Sequence, residues 1–180
     1  MTLSVVYVPD TGHVVGALGV TGASAPADVT ALVGSALPLR VALGGGETAV
    51  LSLRDRQLLA LAADDEPGAF ADPLAFGVEQ VVGANSAVVP KPALVRLAPW
   101  FTQLRFDADG LVITVPVANT TGTTTVLALV SEGQETRVLA GAIEQGGRSV
   151  TLPVTVDGGP HGVLVLVAGW AGRLESVTRQ

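Results

Sequence analysis

Apolar residues in the second half of the chain fall into short runs separated by turn residues. In Leu111–Ala118, Val112, Thr114 and Pro116 alternate with Ile113, Val115 and Val117, the two-residue period of a pleated strand. Similar runs cover Gln103–Phe106, Thr123–Val130, Thr136–Ile143, Ser149–Val156, Gly162–Trp170 and Arg173–Val177. Between them lie Asp107–Gly110, Asn119–Gly122, Glu132–Gln134, Glu144–Gly147, Asp157–Pro160 and Ala171–Gly172. The spacing predicts seven short strands in about 80 residues. Val163, Val165 and Val167 alternate with Leu164, Leu166 and Ala168, so that strand is apolar on both faces. It is expected either at the centre of a sandwich or under a cover from the N-terminal domain or a neighbouring subunit.

The first half is more mixed. Leu3–Val8 and His13–Val20 are β-rich and flank Pro9-Asp10-Thr11-Gly12, a hairpin signal in which Pro sets φ and Gly accepts a positive one. Ser24–Ala36 predicts a short helix: Ser24 can cap, Pro26 suits the first turn, and Val29, Leu32, Val33 and Ala36 share a face. Leu39–Leu43 and Thr48–Leu53 read as strands joined by Gly44-Gly45-Gly46. Ser52–Asp55 has capping-box spacing, and Arg56–Ala63 is rich in helix formers, which favours a helix over a strand there. The acidic Asp64-Asp65-Glu66 that follows opposes the helix dipole. Gly83–Pro92 reads as an extended linker. The expected fold class is mainly β. A small α+β or β N-terminal docking domain spans residues 1–82, a linker spans 83–99, and a seven-stranded β-sandwich spans 100–180. In strand count and spacing the sandwich resembles immunoglobulin and fibronectin type III domains. The likeness is architectural, since the Cys–Trp–Cys signature is absent.

Hydrophobic residues make up 48% and charged residues 14%, against ~25% charged in ordinary domains. That composition excludes disorder. It fits either a surface made for contact with other subunits or a hydrophobic count inflated by Ala and Gly. The net charge of −6, with Lys91 as the single lysine, has the wrong sign for a nucleic-acid partner. With no cysteine, disulfides, thiol catalysis and Cys-based metal centres are excluded. The N-terminus lacks a basic n-region and Val163–Trp170 is too short to span a bilayer, so the expected location is cytoplasmic, or in a released particle, with no membrane partner. Rich Val, Ala, Gly and Arg usage suggests a GC-rich bacterial genome.

Candidate chemistry is sparse. Asp10-Thr11-Gly12 matches the tripeptide of dimeric aspartic proteases, which need two such carboxylates. Pro9 and His13 depart from the usual neighbours, and the chain holds no second copy, so a turn is expected. Asp107-Ala108-Asp109-Gly110 resembles the start of a calcium loop, but Ala118 stands where the bidentate Glu belongs. His13 and His161, each beside Gly, are expected as exposed turn residues. Gly44–Gly46 lacks the Lys-Ser/Thr of a phosphate loop. Trp100, Phe101 and Trp170 are the notable aromatics, expected at the domain junction or as anchors for a partner. No catalytic residue, cofactor or metal ligand is assigned. The function expected is a non-catalytic structural or adaptor subunit of a larger bacterial or phage-tail-like assembly, forming homo- or hetero-oligomers. The alternatives are a ligand- or carbohydrate-binding module and, more remotely, the dimeric protease.

Overall fold

The computed structural model describes residues 2–24, 26–82 and 88–180. The first half contains β1 (Thr2–Tyr7), β2 (Val14–Val20), α1 (Val29–Val33), β3 (Ala36–Gly44), β4 (Glu47–Arg54), β5 (Leu59–Ala63), α2 (Gly68–Ala71), β6 (Phe76–Val82) and β7 (Val88–Arg96). The second half contains β8 (Arg105–Asp107), β9 (Gly110–Thr114), β10 (Thr124–Glu132), β11 (Glu135–Ile143), β12 (Ser149–Leu152), β13 (Gly159–Val167) and β14 (Arg173–Arg179). The protein is mainly β, built from several antiparallel sheets. Among the described residues, no helix is long and apolar enough to cross a membrane.

The chain divides into two compact units. One comprises Met1–Leu37, Leu53–Pro99 and Gly169–Ala171; the other comprises Pro38–Ser52, Trp100–Ala168 and Gly172–Gln180. A break near Pro99 is therefore present, but the division is not a single cut, because most of the β3–β4 hairpin belongs to the second unit.

In the first unit, β1 lies between β2 and β5. Leu3, Val5 and Tyr7 project from one face of β1 into a core with Val14, Ala63, Ala69, Phe76 and Val78, as the two-residue period requires. The segment Leu59–Ala63, expected as a helix, is strand β5, with Leu3 opposite Ala63 and Tyr7 opposite Leu59. Helix propensity differs by only tenths of a kcal/mol among such residues, and pairing with β1 supplies both a ladder and a core face. A 3₁₀ turn at Asp55–Gln57 precedes it, and the Gln57 carboxamide oxygen accepts from the Arg54 N–H.

The expected helix over Ser24–Ala36 shrinks to Val29–Val33. Asp28, not Ser24, caps it, accepting from the N–H groups of Thr30 and Ala31 at 3.2 and 3.3 Å. Gly34, at φ 68°, ends it. Val88–Arg96, expected within the linker, is strand β7 paired with β6. Pro90 and Pro92 are tolerated because, among the described residues, β7 has a strand partner on one edge only. The remainder of that linker, residues 83–87, lies outside the described residues.

The second unit holds all seven strands expected of the C-terminal half, in sheets ordered β11-β10-β13-β14 and β12-β9-β8. β13 is central in its sheet, and every residue from His161 to Val167 is buried. The β3–β4 hairpin covers it: a Cβ placed on Gly162 would lie 3.0 Å from Ala49 and 3.3 Å from Val41. The doubly apolar pattern of β13 thus reflects central pairing together with a cover from Pro38–Ser52.

Candidate functional site

Trp100 enters the second unit buried, 3% exposed. The Arg173 guanidinium stacks on its ring at 4.7 Å from the centroid, a cation–π contact. Arg173 also donates to the Thr102 carbonyl and, from Nη2, to both Glu175 carboxylate oxygens at 2.7 and 2.8 Å. These contacts fix the segment leading into β8. Phe101, next to the pinned Trp100, is left 87% exposed.

Phe101 stands at an open groove of about 680 Å³ whose walls include Leu104, Phe106, Glu175, Val177 and Thr178. One wall comes from β8, at the edge of the three-stranded sheet, and the other from β14, at the edge of the four-stranded sheet. The groove's charges are already paired within the chain: Arg105 with Asp107 at 3.1 Å and Arg173 with Glu175 at 2.7 Å. Its walls are therefore nearly neutral and carry both apolar and hydrogen-bonding groups.

Of the three aromatic candidates, the structure places Trp100 in a core and Phe101 in solvent. Trp170 is half-buried, and its carbonyl accepts from His13. Arg173, which holds this arrangement together, had no local sequence signal; its role appears only once Trp100 and β14 are brought together.

Both histidines correct the expectation of exposed turn residues. His13 is fully buried and His161 is 8% exposed. Trp170 offers only a carbonyl oxygen, so His13 Nε2–H donates to it at 2.7 Å. In the neutral ring, Nδ1 is then left to accept from the Thr11 hydroxyl at 2.9 Å. Burial drives the His13 pKa down to about 4, against the opposing pull of its hydrogen bonds to Trp170 and Thr11. Burial likewise raises the Tyr7 hydroxyl. His161 lies between the carbonyls of Ser131 and Asp157, at 2.8 Å from Nδ1 and 2.9 Å from Nε2, and meets Phe106 edge-on. Both rings therefore have both nitrogens engaged inside the fold.

Asp10-Thr11-Gly12 forms the β1–β2 turn. The N–H groups of Thr11 and Gly12 converge on the Val8 carbonyl, and Asp10 faces solvent. Gly44–Gly46 makes the β3–β4 turn at positive φ. Asp107–Gly110 closes the β8–β9 hairpin, with Asp107 committed to Arg105. Among the described residues, no group of three His, Asp or Glu gathers as a metal site. Comparison with family models, curated proteins and solved structures finds no match to this chain.

Proposed function

We propose that this chain is a non-catalytic structural or adaptor subunit of a larger bacterial or phage-tail-like assembly, acting through protein–protein contacts. The observation that carries the reading is Phe101: a large aromatic 87% exposed, held out by a pinned neighbour, beside a groove that runs between two sheet edges. Exposed aromatics next to grooves are the side chains that anchor protein interfaces, and open strand edges invite pairing. The histidines support the same reading, because both are occupied in holding the fold. The seven strands of the second unit fit an immunoglobulin-like or fibronectin-like sandwich, serving here as a scaffold for contact and not as a catalyst.

Light scattering on size-exclusion chromatography, run at several concentrations, tests the proposal. A defined oligomer or concentration-dependent assembly that Phe101→Ser weakens without loss of folded signal is the expected result. A monodisperse monomer throughout, unchanged by Phe101→Ser, would count against it. The groove itself favours a second reading as a carbohydrate-binding module, since an exposed aromatic and neutralised polar walls suit a hydroxylated ligand. Binding on a glycan array, abolished by Phe101→Ser, would select that reading instead.

A further inference from the structure

We infer that β14 is a self-pairing edge: two copies of the chain join β14 to β14 antiparallel about a two-fold axis through Val177, making one continuous sheet across the dimer. The inference rests on the assembly reading above and specifies the partner as a second copy.

β14 ends the order β11-β10-β13-β14, and among the described residues no strand pairs with its outer side. Its register with β13 runs unbroken from Arg173 to Arg179, without the proline or bulge that commonly blunts an edge. At the opposite end of the sheet, β11 is flanked: the Ser52 N–H of β4 donates to the Thr136 hydroxyl at 2.9 Å.

The sequence of β14, Arg-Leu-Glu-Ser-Val-Thr-Arg, is complementary to itself about Val177. Centring on Val177 sets Glu175 opposite Arg179 of the partner subunit, Ser176 opposite Thr178 of the partner subunit, and Val177 opposite its own copy. The first two combinations occur twice by symmetry and the Val177 pair once, on the axis, and each is a favourable cross-strand pair. Centring on Ser176 would set Arg173 against Arg179 of the partner subunit. Centring on Glu175 would set that carboxylate against itself. Centring on Thr178 leaves Glu175 without a residue opposite it on the partner strand, and among the described residues its only cation is Arg173 of its own chain. Both Glu175 carboxylate oxygens already accept from Arg173 Nη2 in the same chain, so Arg179 of the partner subunit would add a second cation to that carboxylate in the preferred register. Arg179 directs one N–H to the Val156 carbonyl, and a guanidinium has five. Ser176 and Thr178 are exposed. The groove with Phe101 runs along this edge, so the second copy would approach beside the exposed aromatic.

Ser176 and Thr178 make the test clean, because neither contributes to the core. Light scattering should show a wild-type dimer. The double variant Ser176→Lys with Thr178→Lys places like charges opposite each other twice and should weaken dimerisation about tenfold or more. Ser176→Lys with Thr178→Glu restores opposite charges and should retain the dimer. The cysteine-free background allows a register test as well. Chains carrying Ser176→Cys mixed with chains carrying Thr178→Cys should oxidise to a mixed disulfide dimer far faster than either variant alone. A dimer that survives the double lysine change and yields no mixed cross-link overturns this edge while sparing the assembly reading. A monomer at every concentration overturns self-pairing and, if Phe101→Ser also changes nothing, the assembly reading with it.

Discussion

A histidine buried in its neutral form makes a protein sensitive to mild acid, and His13 should do so here. In the unfolded chain its imidazole titrates at the ordinary value of 6.5, whereas in the fold it titrates at about 4. Above the unfolded value both states hold a neutral ring, and the stability that depends on this difference is fully present. As pH falls between the two values, the unfolded chain takes up a proton that the native protein refuses, so stability is lost. Below about 4 both states are protonated and the loss stops growing. The gap corresponds to about 3 kcal/mol, accruing at roughly 1.4 kcal/mol per pH unit within the window. That is a large part of a typical domain's margin. The matched control is His13→Gln, whose amide can still donate to the Trp170 carbonyl and does not titrate. Urea unfolding should be followed for both proteins from neutrality down to about pH 4. The variant should start less stable by a constant amount, and the gap should close as pH falls. NMR of the folded wild type should show the His13 ring neutral at pH values where a free imidazole is mostly charged. A stability difference that stays flat across the window, or a His13 resonance titrating at the ordinary value, would refute the argument.

Two further outcomes follow from close packing in the second unit. Gly110→Ala places a Cβ 2.1 Å from the Leu152 carbonyl oxygen at a φ of +142° and should cost at least about 3 kcal/mol. Gly133→Ala, at φ +58° in open space, should cost only the left-handed strain of about 1 kcal/mol; equal shifts in the urea midpoints would show that contact at Gly110 is not decisive. A fragment of residues 100–180 lacks the Pro38–Ser52 hairpin that covers β13 at Gly162. It should lose cooperative thermal unfolding and regain it when the hairpin is fused back, and a fragment that already melts like the full chain would contradict this.

The C-terminal strands were legible because each is bounded by turn residues whose backbone requirements are local. Gly133 between β10 and β11 and Gly110 at the start of β9 adopt positive φ, and sequence displays that chemistry directly. The helix-or-strand choice at Leu59–Ala63 was not legible for the opposite reason. Nothing within those residues announces that β1, more than fifty positions earlier, will pair with them. The same holds for β7. Pro90 and Pro92 signal irregularity locally, yet β6 captures the segment, and the Pro92 carbonyl accepts from the Asp64 N–H at 2.8 Å.

The site residues divide along the same line, and the division explains why the histidines misled. A Gly neighbour marks a turn when the glycine supplies a positive φ, as Gly12 does beside His13. At His161 the neighbouring Gly162 is buried and has no such φ; it is small so that Val41 and Ala49 can approach. The two roles look identical in sequence and have opposite consequences for exposure. Trp100 and Phe101 show the same ambiguity in adjacent aromatics. Only the Arg173 guanidinium, supplied by a strand 73 residues later, decides that the first is held inside while the second stays exposed.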